Sequence, residues 1–182
     1  MIEVRFHGRG GQGAVSSAEL MAIAAIEEGK FAQAFPSFGP ERRGAPVLAF
    51  LRVDDKPIRL REKVYQPNAV VVLDPTVMNI TRVDDGLREG GVVVINTQRS
   101  PEDIRSEYGF THRLALVDAS RIALETLGLP ITNTVMLGAL IKATGIIRPE
   151  AINEPLAKRF GPIAPKNQKA YERAFSETKT ED

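Results

Sequence analysis

The first part of the chain alternates between apolar and polar residues, and this pattern predicts a β-strand from Ile2 to Phe6. After a glycine-rich turn, apolar residues at helical spacing predict a helix from Ala14 to about Glu28. Apolar side chains extend almost all the way round this helix, which predicts that it is covered on more than one side. Gly29 ends the helix, and Phe31 to Phe35 form the next predicted strand.

Three short apolar runs further along predict strands that are buried on both faces of a parallel sheet. They are Ala69–Leu73, Gly91–Ile95 and Leu114–Val117, and the polar residues Asp74, Asn96 and Asp118 follow them. Open α/β sheets place ligand sites at the carboxyl ends of their strands, which is where these polar residues fall. An acid at such a position commonly caps the next helix, so we predict structural roles for Asp74 and Asp118.

The remaining segments complete the predicted architecture. An extended stretch from Val47 to Val53, a turn at Asp54–Pro57 and a return through Ile58–Leu60 predict an antiparallel hairpin. Helices are expected at residues 121–127, 132–144, 149–160 and 166–177, before a polar tail at 178–182. We therefore predict a single α/β domain over residues 1–182. It has a three-layer α/β/α arrangement, a mostly parallel sheet with an antiparallel hairpin, and a helical C-terminus.

Composition narrows the classes of function. With 182 residues and 43% hydrophobic side chains, the chain can bury one sizeable core. Its 24 basic residues nearly balance its 23 acidic residues, so charge predicts neither a nucleic-acid nor a membrane partner. There is no export signal and no apolar run of the roughly 20 residues that a bilayer requires. We expect a cytoplasmic protein.

The chain has no cysteine and only two histidines. It therefore cannot supply thiolate ligands to an iron–sulfur cluster or form a disulfide, and we predict no metal site in it. His7 follows a strand and His112 lies in a polar stretch, and neither has a partner at a readable spacing. Both are expected to be structural.

A glycine motif joins the first strand to the first helix, with the residues Gly8, Arg9, Gly10, Gly11, Gln12 and Gly13. Its spacing satisfies the dinucleotide fingerprint, because glycines allow a tight turn and expose N–H groups to an anion at a helix start. Arg9 and Gln12 add side-chain donors. The fingerprint also requires an acid about 20 residues on, at the end of the second strand. Ala32, Gln33 and Ala34 occupy that strand, so two interpretations stay open: an anion site, or a turn that permits close packing.

The segment from Phe35 to Pro46 combines aromatic residues, prolines and a double arginine. A solvated charged loop is the simplest interpretation, but aromatic residues and arginine together are typical of the core of a protein interface. The residues that we predict to contact another subunit are Phe35, Phe38, Glu41, Arg42 and Arg43.

These motifs together resemble the gamma subunit of the 2-oxoacid:ferredoxin oxidoreductases. The resemblance rests on Phe-His-Gly-Arg-Gly-Gly-Gln-Gly at 6–13, Gln-Ala-Phe-Pro at 33–36 and Gly-Pro-Glu-Arg-Arg-Gly-Ala-Pro at 39–46. Val-Val-Leu-Asp-Pro at 71–75, Val-Asp-Ala at 117–119 and Gly-Leu-Pro-Ile-Thr-Asn-Thr at 128–134 extend it over nearly the whole chain. The form of the 41–46 segment is more similar to the pyruvate and branched-chain enzymes than to those for 2-oxoglutarate.

The resemblance implies a heterotetrameric complex with alpha, beta and delta subunits, which oxidatively decarboxylates a 2-oxoacid with coenzyme A or runs the reverse reaction. Thiamine pyrophosphate, Mg²⁺ and the [4Fe-4S] clusters that reduce ferredoxin would be bound by the partner subunits, and no cofactor by this chain. It also implies that this chain has no catalytic residue and is inactive alone. Coenzyme A is then the anion that the turn at Gly8–Gly13 would contact. The alternative is a stand-alone oxidoreductase that uses NAD or FAD.

Overall fold

The computed structural model describes residues 1–37 and 43–181, and within them seven strands form one mixed sheet. The strands are β1 (Ile2–Arg9), β2 (Phe31–Pro36), β3 (Pro46–Asp54), β4 (Ala69–Val72), β5 (Val92–Asn96), β6 (Arg113–Val117) and β7 (Lys179–Thr180). The helices are α1 (Ala14–Glu27), α2 (Pro101–Tyr108), α3 (Ala119–Leu127), α4 (Asn133–Thr144), α5 (Asn153–Phe160) and α6 (Ala164–Glu177). Short 3₁₀ helices cover Pro75–Asn79, Pro149–Ile152 and Gly161–Ile163.

The strand order in the sheet is β2-β3-β1-β4-β5-β6-β7. The central strands β1, β4, β5 and β6 are parallel to one another, as the valine-rich runs predict. Antiparallel strands flank them on both sides: β3 pairs with β1, β2 with β3, and β7 with β6. The predicted α/β class and the helical C-terminus are confirmed.

The predicted hairpin between Val47–Val53 and Ile58–Leu60 is wrong. Residues 58–60 lie outside the strands, and the antiparallel hairpin is formed instead by β2 and β3. The physical reason is that β3 pairs with β1 along one edge and with β2 along the other. No backbone edge of β3 is therefore left for a third strand.

Helices and loops cover both faces of the sheet. One face packs against α1, α3, α4, α5 and α6, and this cluster contains buried residues of every strand from β1 to β6 except the edge strand β2. On the other face, Val70, Val93 and Leu114 pack with Ile104 of α2 and with Val77 and Met78 of the first 3₁₀ helix. The predicted three-layer arrangement is therefore present.

The residues predicted as a polar tail also take part in the sheet. Lys179 and Thr180 form β7 against β6, and the Glu181 carboxylate accepts hydrogen bonds from the Leu114 N–H and from Arg105. The edge of β6 is thus covered by the chain itself. Among the described residues, no helix is long and apolar enough to cross a membrane.

Candidate functional site

The glycine motif lies at the carboxyl end of β1, but it turns later than its letters suggest. Gly8 and Arg9 are still part of β1 and pair with Val47 and Pro46 of β3. The turn follows at Gly10–Gly13, where Gly11 and Gly13 adopt φ angles of 92° and 82° that favour glycine. Gly13 is the N-cap residue of α1 and has no side chain with which to cap the first N–H groups of this helix.

Gln12 connects this turn to the end of β4. Its Oε1 accepts the Arg9 N–H at 2.7 Å, and its Nε2 donates to Asp74 Oδ2 at 2.7 Å. The other carboxylate oxygen of Asp74 accepts the Thr76 N–H at 2.9 Å and the Thr76 hydroxyl at 2.6 Å. Asp74 therefore caps the following 3₁₀ helix, as its position predicts, and also fixes the glycine turn.

The Arg9 side chain extends over the same residues. Its Nε and Nη2 donate to Thr76 Oγ1 at 3.0 and 2.8 Å, and its Nη1 donates to the Gly44 carbonyl at 3.1 Å. Its Nε also lies 3.5 Å from Asp74 Oδ2. The arginine that the sequence predicts as an anion donor is thus already engaged by a carboxylate, a hydroxyl and a carbonyl.

The hydrogen bonds around Asp74 determine its charge state. Burial alone would raise the pKa of this carboxyl group, but hydrogen bonds from Thr76 and Gln12 and the nearby Arg9 guanidinium more than offset burial. The pKa of Asp74 is therefore lowered from its ordinary value, and the group is ionised at neutral pH.

A polar cavity of about 270 Å³ opens beside the turn. Its lining residues are Gly11, Gln12, Leu73, Asp74, Pro75, Asn96, Ser120, Pro130, Ile131 and Thr132. It lies where the chain leaves β1 towards β2 on one side of the sheet, while β4 and β5 continue on the other. Such a point, at the carboxyl ends of parallel strands, is the usual ligand site of open α/β sheets.

Three helices begin around this cavity. Gln12 precedes α1, Ser120 lies in the first turn of α3, and Thr132 precedes α4. The starts of α1 and α4 are in contact, since a Cβ atom at Gly13 would lie 2.8 Å from Asn133 Nδ2. Because the positive ends of helix dipoles favour negative charge, the three starts together favour a ligand with an anionic group.

Amide and hydroxyl groups complete the cavity wall. Asn96 Nδ2 donates to the Leu73 carbonyl and to Ser120 Oγ, both at 3.0 Å. The position of Asn96 after a buried strand indicates this edge from sequence, whereas Ser120 and Thr132 carry no signal of their own. The arrangement supplies hydrogen bonds and helix dipoles, and Asp74 is the one ionisable residue among those that line it.

His7 and Asp118 do not line this cavity. His7 is buried, and its Nε2 accepts a hydrogen bond from Arg5 Nε at 3.1 Å. Burial, together with the charge of Arg5, lowers the pKa of His7 to about 3, so it is neutral at physiological pH. Asp118 accepts the Arg121 N–H and caps α3. Residues 1–37 and 43–181 contain no group of three potential metal ligands.

The predicted interface residues are only partly covered by the structure. Phe38, Glu41 and Arg42 lie outside the described residues. Phe35 is half-buried, with its ring centroid 5.3 Å from that of Phe50 and the Arg52 guanidinium 5.3 Å above it. Arg43 is exposed, beside a bridge to Gly10 that places the end of this segment next to the glycine turn.

The sequence predicts that α1 is covered on more than one side, but it does not indicate the apolar groove that α1 forms with the edge strand β2. This groove has a volume of about 620 Å³, and Ile23 and Ile26 of α1, Ala32 and Ala34 of β2, and Leu60 contribute its apolar lining. Ile23, Ile26 and Leu60 are 43%, 55% and 40% exposed. The nearly continuous apolar surface of the first helix was the available signal, and the chain itself covers only part of that surface.

Comparisons with known proteins indicate the same family over nearly the whole chain. The family model described as "Pyruvate ferredoxin/flavodoxin oxidoreductase" matches residues 3–177. The "Pyruvate/ketoisovalerate oxidoreductases common subunit gamma" of Thermococcus kodakarensis is 54% identical over 180 residues, which cover 98% of this chain and 97% of that protein. The "Pyruvate synthase subunit PorC" of Methanocaldococcus jannaschii is 48% identical over 178 residues, 97% of each chain.

A solved structure is similar to this chain in fold as well as in sequence. The crystal structure of the pyruvate oxidoreductase subunit PORC from Thermotoga maritima superposes with a TM-score of 0.89 at 40% identity, covering 100% of this chain and 98% of that one. The family model spans nearly the full length, and the relatives exceed 40% identity over almost all of it. This chain therefore belongs to the pyruvate ferredoxin/flavodoxin oxidoreductase family.

Proposed function

We propose that this chain is the non-catalytic gamma-type subunit of a pyruvate:ferredoxin oxidoreductase, in which it docks on the thiamine-binding subunits and helps to hold coenzyme A. The observation that carries the proposal is the similarity to gamma and PorC subunits over 97% or more of the chain. Those relatives are subunits of 2-oxoacid oxidoreductases, which supports this function and gives no support to a stand-alone enzyme that uses NAD or FAD. Residues 1–182 act as one domain.

In this role, the chemistry takes place on other subunits. The complex joins pyruvate and coenzyme A to give acetyl-CoA, CO₂ and reduced ferredoxin, or runs in reverse. Alpha, beta and delta subunits supply thiamine pyrophosphate, Mg²⁺ and the [4Fe-4S] clusters. The absence of cysteine from the sequence is consistent with this division, because clusters of this type are held by cysteine thiolates.

Docking uses α1 together with the Phe35–Pro46 segment. Ile23 and Ile26 present apolar side chains beside an edge strand, a combination that favours burial by another protein. Arg43 adds an exposed cation at the end of the segment. A partner that covers this surface would supply the second cover that the apolar pattern of α1 predicts.

Coenzyme A contacts the chain through its phosphates. The proposed contacts are the N–H groups of Gly11 and Gly13 and the side chain of Arg9, since the N–H groups of Gly10 and Gln12 already donate to the Ala45 and Arg9 carbonyls. Helix starts and arginine are both well suited to phosphate, since each offers several N–H donors and positive charge. We place no catalytic group in the polar cavity beside the turn.

Arg42→Ala combined with Arg43→Ala tests the docking surface. We expect weaker assembly with the partner subunits, because truncation of an interface arginine can cost about 2 kcal/mol or more. The melting temperature of the isolated chain should change little, since substitutions at the surface usually alter stability by less than about 0.5 kcal/mol. Co-purification and thermal melts measure the two effects. A clear fall in the melting temperature with assembly intact would contradict this placement.

Arg9→Ala tests the coenzyme A contact in the assembled enzyme. We expect the Michaelis constant for coenzyme A to rise about tenfold, because a hydrogen bond to a charged group is lost. The Michaelis constant for pyruvate should stay unchanged. Steady-state kinetics with each substrate varied in turn measure both. An unchanged constant for coenzyme A would show that Arg9 does not contact it.

A further inference from the structure

Asp74 places a negative charge beside the site where we propose that a phosphate binds. It is ionised and lies within hydrogen-bonding distance of the glycine turn, yet a carboxylate repels the phosphates of coenzyme A. The role that we assign to this carboxylate rests on the proposed function.

The hydrogen bonds show which groups Asp74 engages. Arg9 Nε lies 3.5 Å from Asp74 Oδ2. The Thr76 hydroxyl connects the two groups, because it accepts a hydrogen bond from Arg9 Nη2 at 2.8 Å and donates one to Asp74 Oδ1 at 2.6 Å. Arg9 does not line the cavity, whereas Asp74 does. The positive group is therefore directed towards Thr76 and Gly44, and the negative group faces the cavity.

This pairing can open at modest cost. The side chains of Arg9 and Asp74 are 28% and 17% exposed, so water screens their attraction more than it would in a dry core. Arg9 is a long side chain whose other contacts, the Thr76 hydroxyl and the Gly44 carbonyl, are exposed hydrogen bonds that water can replace. Gln12 keeps the turn attached to β4 while Arg9 moves, because it binds Asp74 through its own amide.

We propose that Asp74 is a positioning residue that holds Arg9 as a counter-ion until Arg9 binds a phosphate-bearing ligand instead. Asp74 thereby limits the affinity of the turn for such ligands. Ligand binding exchanges one anionic partner of Arg9 for another. The turn then favours ligands with several negative charges, such as the pyrophosphate and 3′-phosphate of coenzyme A, over singly charged ones.

The test is Asp74→Asn in the full chain, titrated with coenzyme A and with inorganic pyrophosphate by calorimetry. Asparagine keeps the shape and the acceptor oxygen for Thr76 while it removes the charge, and its amide nitrogen replaces the oxygen that accepts from Gln12. We expect both ligands to bind about two- to fivefold more tightly, in line with the modest strength of partly exposed ion pairs. Asp55→Asn is the matched control: it makes the same change in net charge at an exposed turn beyond the opposite end of β3, and affinity should stay unchanged.

A double variant, Arg9→Ala with Asp74→Asn, identifies the group through which Asp74 acts. Without Arg9 the gain in affinity should disappear, because the two residues belong to one interaction. A gain that persists without Arg9, or an Asp74→Asn chain that binds no more tightly than the native one, overturns the inference. A thermal melt confirms that each variant is folded.

The same titrations separate this inference from the proposed function. If the native chain binds coenzyme A and Asp74→Asn does not improve binding, the coenzyme A site stands and the role of Asp74 is refuted. If only Asp74→Asn binds, the role of Asp74 is supported and the native contact with coenzyme A is not. If neither chain binds either ligand, both ideas fail.

Discussion

His7 lies near the end of β1 with 4% of its surface exposed, next to the buried guanidinium of Arg5. Its pKa falls to about 3 because burial and the charge of Arg5 both disfavour the protonated ring. Below its ordinary pKa of 6.5, the unfolded chain therefore binds a proton that the folded chain does not. The neutral ring therefore makes its full contribution to stability above pH 6.5. That contribution is lost as the pH falls from 6.5 towards 3.

We predict that His7→Gln weakens the dependence of stability on pH in this window. In the native chain, this group alone should lower the free energy of unfolding by up to about 1.4 kcal/mol per pH unit below pH 6. Glutamine offers Arg5 an acceptor without titrating. Urea denaturation at several pH values measures the slope in the native and His7→Gln chains. Equal slopes in the native and His7→Gln chains would show that His7 binds a proton as readily in the folded chain as in the unfolded chain.

The same strand shows where residue-level prediction from sequence succeeds and fails. Alternation correctly predicts β1, but its polar side chains are buried rather than exposed to water. Glu3 accepts hydrogen bonds from Arg52 at 2.8 Å and Arg88 at 3.1 Å, and Arg5 donates to the Val83 carbonyl at 2.9 Å. These partners lie 49 to 85 residues away along the chain, so only the folded arrangement shows that the polar face is covered.

At the scale of helices, α4 packs closely against α6, and Gly138 makes this approach possible. A Cβ atom at this position would lie 2.3 Å from the Tyr171 carbonyl oxygen and 2.9 Å from the Phe175 nitrogen. Both are backbone atoms of α6, so neither can rotate away as a side-chain end would. Contact between the two helices therefore depends on the missing side chain.

We predict that Gly138→Ala destabilises the chain by about 2 kcal/mol or more, even though alanine favours a helix, because the helices must move apart. Gly145→Ala is the control. Gly145 ends α4 with φ 59° and has open space around its Cβ position, so only about 1 kcal/mol of backbone strain is expected there. Guanidinium denaturation compares the two. A larger loss at Gly145 would place the constraint in the backbone of the cap and not in helix packing.

The strands were predicted unequally well for a physical reason. The runs that form β4, β5 and β6 are apolar on both faces, and this local signal does not depend on which strands they pair with. The pairing of β3 is a long-range choice, and the polar turn at its end suggested a hairpin that the sheet does not contain. Likewise the sequence indicates Gln12 and Asp74 separately, but their hydrogen bond exists only because β1 and β4 are neighbours.

For the molecule as a whole, the two sides of the sheet differ in how the outer strand is covered. The edge of β6 is covered by β7 and by Glu181, which leaves little unpaired backbone there. The other edge is β2, which pairs with β3 on one side and borders the groove beside Ile23 and Ile26 on the other. Within residues 1–37 and 43–181, no strand pairs with the outer edge of β2. An edge strand next to exposed apolar side chains is a liability for a chain that acts alone, and it is expected of a subunit whose partner covers it.

Ile26→Asp tests whether a partner subunit covers this groove. Ile26 is 55% exposed, so a charge there costs the isolated chain little, but a partner would have to bury that charge without a counter-ion. We predict that co-purification with the thiamine-binding subunits falls at least about tenfold while the melting temperature of the isolated chain stays nearly constant. Leu124→Asp on α3, where the leucine is 53% exposed, is the matched control and should assemble normally. Equal assembly by both variants would show that the groove faces water in the complex, and the docking surface would then have to lie elsewhere on the chain.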